Sequence, residues 1–221
     1  MVQERLVRPR QAGRAARVSR DAVRASYDAF ADRYAAELAE DPQDEPWARG
    51  TFAAFAELVD GPVLDVGCGP GPAAAHLHRL GVEVRGLDLS PAMVAIARAQ
   101  HPGIRFDVGD LAALDATGLG GIVAWYSFIH IPPPERPAVL AGFRDALAPG
   151  GHLLLGFQVG DDVRHHDEAF GRAVSLDFHR LRPDVVAALL ADAGFTEVAR
   201  VVRAPLRAEP TPQAHLLARR R

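Results

Sequence analysis

Three carboxylates stand at the ends of short apolar runs. Asp65 lies in VLDVGCGPG (63–71), Asp88 closes VRGLD ahead of Leu89 and Ser90, and Asp110 follows FDVG. After the first comes the turn Gly67-x-Gly69-x-Gly71, with Cys68 inside it and Pro72 next in line. Proline suits the first position of a helix, where its missing N–H costs nothing, so the turn delivers the chain to a helix N-terminus with bare amides facing a ligand. Glycine there permits positive φ and close backbone approach. Asp88 stands 21 positions after Gly67 (88 minus 67), where a carboxylate can accept two hydroxyl protons from a ribose diol. Asp110 and the amide of Leu111 are placed to meet an adenine edge, so three strand ends converge on one nucleoside. A fourth segment, WYSFIHIPPP (125–134), holds His130, whose ordinary pKa suits a general base near neutral pH.

The elements that must position these groups follow from periodicity. Residues 62–66, 82–87, 104–108, 121–127 and 152–157 are short runs rich in Val, Ile and Leu, which reads as buried strands. Helical stretches alternate with them at 73–80, at 91–100 behind a Ser90 cap, and at 134–147 before Pro149-Gly150-Gly151. Such alternation predicts right-handed crossovers, a parallel sheet with helices on both faces, and a ligand crevice at the carboxyl ends of the strands. Ahead of it, Tyr27, Phe30, Ala31 and Tyr34 share one face of a helix over 19–40, and a second helix runs over 47–59.

Composition removes several function classes. The chain has 221 residues, 48% of them hydrophobic, and a net charge of -3, which fits one catalytic domain with a small appendage and gives no field for polyanions. All 25 basic residues are arginine. Without lysine there is no Walker-type phosphate loop, no pyridoxal Schiff base and no Tyr-Lys pair of the short-chain dehydrogenase kind. The G-x-G-x-x-G dinucleotide pattern is not met, which disfavours a nicotinamide oxidoreductase. One cysteine, no long apolar span and no apolar leader give the expectation of a cytoplasmic protein away from membranes. His165, His166, Asp167 and His179 lack zinc spacing, so no metal is expected.

In combination these motifs resemble the class I S-adenosylmethionine (SAM) dependent methyltransferases, in particular the small-molecule type of bacteria. VLDVGCGPG is similar to their first motif, VRGLDLSPAMVAIAR to the second-strand motif and its helix, GDLAAL to the third, and LAPGGHLLLGF to the far-side turn and strand. The resemblance runs from about Tyr27 to the C-terminus. It implies an α/β, Rossmann-like seven-stranded sheet of order 3-2-1-4-5-7-6 with the last strand antiparallel, closed by residues 195–204 and 213–218. Carried over residue by residue, it puts Gly67, Gly69 and Gly71 on the amino-acid end of SAM, with Asp65 toward its ammonium and Cys68 contributing backbone. Asp88, beside Leu89, takes the ribose, Asp110 and Leu111 the adenine, and Tyr126 and Ser127 the sulfonium side. His130 is the candidate catalytic base, and Tyr27, Tyr34 and Trp47 are candidates for a lid over cofactor and acceptor.

The expected organisation is a disordered basic arm (1–18), a helical lid (19–60) and the SAM-binding domain (61–221), acting as a monomer or homodimer. The stretch 160–180 is an insertion that shapes the acceptor pocket. Nucleic-acid amino-methyltransferases resemble one another in an Asn/Asp/Ser-Pro-Pro-aromatic motif, whereas Ile131-Pro132-Pro133-Pro134 offers neither an acceptor for an amine nor a ring for a base. A small-molecule acceptor is therefore expected. A non-catalytic SAM-binding regulator or scaffold shares the same cofactor pattern.

Overall fold

The structure, a computed structural model, describes residues 10–11, 18–206 and 209–221. Most of the expected arm lies outside the described residues. Within it, Arg10–Gln11 form a short strand, β1, rather than an unstructured segment.

Among the described residues ten strands form two sheets. The larger contains β2 (Val63–Val66), β3 (Val84–Asp88), β4 (Arg105–Val108), β5 (Leu119–Trp125), β6 (Leu147–Gln158), β9 (Phe195–Arg203) and β10 (Gln213–Arg220), in the order β4-β3-β2-β5-β6-β10-β9. Numbered within that sheet, this is 3-2-1-4-5-7-6. β2 pairs in parallel with both β3 and β5, while β10 runs antiparallel to β6 and β9. The central strands are mostly apolar because both faces are covered, and successive side chains alternate between them. Val63, Val123, Leu154 and Leu217 pack under Phe52 and Phe55 of α2 (Pro46–Leu58) and Leu77 of α3 (Pro72–Arg79). Leu64, Ile122, Leu153 and Leu155 face the other way, toward Leu140 and Phe143 of α5 (Arg136–Ala146) and Leu190 of α6 (Pro183–Asp192).

The insertion at 160–180 is a β-hairpin. β7 (Val163–Ala169) and β8 (Arg172–His179) turn at Phe170-Gly171 and join β1 in a three-stranded antiparallel sheet. This sheet packs on α1 (Arg20–Glu37), where the Ser26 hydroxyl accepts the Ser175 amide at 2.9 Å. Ser19 caps α1 by accepting the Ala22 amide, and the helix bends at Phe30. Asp28 of α1 accepts the Ser90 hydroxyl at 2.5 Å and the Ala92 amide at 3.2 Å, at the start of α4 (Pro91–Gln100). A carboxylate at that position complements the positive end of α4 and ties the N-terminal helix to the rim of the sheet.

Candidate active site

Two adjoining cavities, about 440 and 120 Å³, lie at the carboxyl ends of β2, β3 and β5. Their combined size is that of a cofactor with a small second molecule. Tyr27, Tyr34, Gly67, Gly69, Trp125 and Tyr126 line both.

The three glycines of the turn serve different ends. All have positive φ, but only at Gly69 would a β-carbon find room, with the Tyr34 ring 3.9 Å away. A β-carbon at Gly67 would meet the Ser127 β-carbon at 2.3 Å, and one at Gly71 would meet Phe106 and His101 at 2.9 Å. Gly71 lines neither cavity. A side chain there is excluded because β4 and the chain after α4 press on the N-cap of α3.

Asp65 is 1% exposed, and neither carboxylate oxygen has a hydrogen-bond partner. Burial pushes its carboxyl up to about 7, with Asp88 adding to the rise and the nearby Ala74 amide opposing it. A buried carboxylate left without a partner is costly, and a cationic ligand group in the adjoining cavity would satisfy it. Asp88 accepts the Gly69 amide and the Ser90 amide, both at 2.8 Å, which fixes the glycine turn to the end of β3. Burial raises its pKa and those two amides pull it back. Each oxygen keeps a lone pair for a hydroxyl from the cavity. Asp110 accepts the Ala112 amide at 2.8 Å, while its other oxygen meets Arg20 Nε at 2.9 Å, and Arg20 Nη2 reaches Glu135 at 2.5 Å. Leu89, Leu111 and Ser127 line the same cavity, Ser127 being held by its bond to the Val66 carbonyl. Cys68 is buried, and burial pushes its thiol well above the usual range, so it is no nucleophile at neutral pH.

His130 has both ring nitrogens engaged. Nδ1 lies 3.0 Å from the Asp177 carbonyl, which can only accept, so Nδ1 carries the proton and Nε2 accepts the Tyr27 hydroxyl at 2.8 Å. Burial pushes the imidazole down to about 4 and the Tyr27 hydroxyl well above its usual 10. The Nε2 lone pair, the candidate base, faces the Tyr27 hydroxyl in this structure. The hairpin thus does shape the site, through the Asp177 carbonyl and the Phe178 ring.

Of the three lid candidates, Tyr27 and Tyr34 face the cavities. Trp47 does not: it is 53% exposed and lines neither. Ala48, Phe52 and Phe55 form the buried stripe of α2, and Trp47 sits about 100° away from Ala48 around the helix. Trp125 is the tryptophan at the site, and sequence reasoning missed it, as it missed Gln158, Arg203 and Gln213. The signal available for Trp125 was its place beside Tyr126 at the carboxyl end of β5. Among the described residues no three His, Cys, Asp or Glu side chains converge as a metal site, and His165 pairs instead with Asp177 at 2.8 Å. No helix among the described residues is long and apolar enough to cross a membrane.

Residues 63–151 match the family described as "Methyltransferase domain". A ubiquinone biosynthesis O-methyltransferase of Xanthomonas axonopodis pv. citri (strain 306) is 36% identical over 100 residues, which is 42% of this chain and 41% of that protein. The chain thus spans about two fifths of the length of that relative. Magnesium protoporphyrin IX methyltransferase from Synechocystis PCC 6803, solved with SAM, superposes with a TM-score of 0.72 at 19% identity, covering 95% of this chain and 100% of the other. The 1,6-didemethyltoxoflavin-N1-methyltransferase of Burkholderia thailandensis, solved with its substrate and S-adenosylhomocysteine, gives 0.72 at 20%, covering 96% and 93%. The chain shares the fold of these SAM-dependent methyltransferases.

Proposed function

We propose that the protein transfers the methyl group of SAM to an oxygen, nitrogen or carbon of a small molecule. The observation that carries this reading is the orphaned Asp65 carboxylate beside the glycine turn that Asp88 holds through the Gly69 amide, in adjoining cavities under Tyr27 and Tyr34. Asp65 holds the ammonium, with the backbone of Cys68 and Gly69 along the amino-acid end. Asp88 accepts the ribose hydroxyls. Leu89, Leu111 and Asp110 hold the base, and Arg20 steadies Asp110 from the lid helix. Tyr126 and Ser127 line the sulfonium side.

Bound SAM supplies a methyl on a positively charged sulfur, open to in-line attack. The chain's part is to position the nucleophile and take its proton. Tyr27 receives that proton on its oxygen as its own passes to Nε2 of His130, while Nδ1 keeps its proton and donates it to the Asp177 carbonyl. With His130 held near 4, the pair takes the proton as the nucleophile is methylated and does not store it beforehand. Relatives and structural neighbours whose names or titles describe O- and N-methyltransferases support the small-molecule acceptor. Incubation with methyl-labelled SAM and an extract of the producing organism, read by mass spectrometry, should give a labelled small molecule and S-adenosylhomocysteine. SAM binding with no labelled product would refute methyl transfer.

A further inference from the structure

Beyond the cofactor groups, the smaller cavity is walled by a row of three polar side chains. Gln213 of β10 lies opposite Gln158 of β6 on one side and Arg203 of β9 on the other. Residues paired this way project from the same face of the sheet, and all three line the cavity. They are 7%, 3% and 8% exposed for Gln158, Gln213 and Arg203. Core strands of this kind bury apolar side chains, so a polar row on a cavity wall suits a polar occupant.

The row is built and rigid. The Gln213 carboxamide oxygen accepts the Tyr126 hydroxyl at 2.9 Å, and its nitrogen donates to the Thr211 carbonyl at 2.8 Å. Tyr126 has φ +56, a strained position for an aromatic residue, and this bond fixes its ring between the two cavities. Arg203 spends both terminal nitrogens on Glu209, at 2.5 and 2.6 Å. Its Nε is buried with no hydrogen-bond partner, the Glu45 carboxylate standing 3.8 Å off. The guanidinium is therefore already neutralised, and an anion at the row would face Glu45, Glu209 and Glu40 without compensation.

We propose that Gln158, Gln213 and Arg203 are the acceptor-binding wall, and that they select a polar acceptor carrying no negative charge. This rests on the methyl-transfer reading of the cleft. The two amides recognise a hydrogen-bonding edge, and Arg203, already paired with Glu209, offers no free cation to an anionic one.

The test uses the full chain with methyl-labelled SAM and extract. The labelled product should pass an anion-exchange resin at pH 8. Retention on the resin would overturn the charge class while leaving methyl transfer standing, whereas absence of any labelled product would strike the methyl-transfer reading itself. Gln213→Leu and Gln158→Leu should each cut labelling at least tenfold at limiting extract, and Gln158→Leu, which leaves the Tyr126 bond in place, should keep SAM affinity by calorimetry within twofold of wild type. A tenfold loss of SAM affinity in Gln158→Leu with thermal unfolding unchanged would assign the row to the cofactor instead. Undiminished labelling in both variants would overturn the wall.

Discussion

Replacing Asp65 by Asn should make the ligand-free protein more stable at alkaline pH. The folded-state pKa is about 7 against 3.8 for the free side chain. Unfolding therefore releases the proton between those values: the folded state binds more protons, and stability falls as pH rises through about 4 to 7. The whole penalty is about 3 units, or about 4 kcal/mol as an upper limit at 1.36 kcal/mol per unit. About 2 to 3 kcal/mol of it falls between pH 5 and pH 8. His130 and His215, both pushed down to about 4 by burial, act in the opposite direction, gaining stability as pH rises toward their unfolded value. The wild-type curve alone mixes these contributions, and the difference between wild type and Asp65→Asn isolates the carboxylate. Urea denaturation at pH 5 and pH 8 without ligand should show Asn gaining on Asp by that margin. Equal pH slopes for the two proteins would refute a buried, unpaired Asp65. SAM should reverse the order: its ammonium compensates Asp but not Asn, so wild type binds it more tightly above pH 7 and loses affinity as the carboxyl takes a proton.

Asp88→Ala should weaken SAM at least tenfold by calorimetry, because a bidentate acceptor is lost and the Gly69 amide is released; unchanged affinity would remove Asp88 from the ribose. Tyr27→Phe leaves the Nε2 lone pair of His130 without its donor and should lower methyl transfer at least tenfold while SAM affinity holds; full turnover would exclude Tyr27 from the proton path. Gly67→Ala places a β-carbon 2.3 Å from that of Ser127 at a positive φ and should cost at least about 2 kcal/mol of folding stability. A smaller loss in denaturant would mean that the end of β5 yields.

The central sheet was legible because its information is local. Short Val, Ile and Leu runs, a Ser90 cap and acids at strand ends each need only a few neighbouring residues, and they placed Asp65, Asp88, Leu111 and Ser127 on the cleft. Roles set by tertiary packing were not legible. Gly71 carries the same turn signature as Gly69, yet what excludes its β-carbon is Phe106, more than 30 residues on. Trp47 and Trp125 look equally suited to a lid in the sequence, and only the orientation of α2 separates them. The hairpin was hidden by its polarity: VRHHDEA alternates poorly, although Val174, Leu176 and Phe178 keep a period of two. The row of Gln158, Gln213 and Arg203 comes from three strands up to 55 residues apart (213 minus 158), and register alone brings it together.

Unfavourable local features gather where the ligands would sit. An uncompensated carboxylate at Asp65, a left-handed Tyr126 and an unpartnered Arg203 Nε all lie at the carboxyl ends of β2, β5 and β9, while the sheet behind them is apolar and closely packed. Each of these groups is held in place by neighbours that have no stake in its comfort: Asp65 by the flanking Leu64 and Val66, Tyr126 by Gln213, and Arg203 by Glu209. A rigid frame that keeps polar groups unsatisfied gives a ligand more to gain than a cleft whose groups satisfy one another before it arrives. The stability lost at these positions in the free protein is recovered on binding, so the pH dependence of folding measured without SAM should flatten when SAM is saturating.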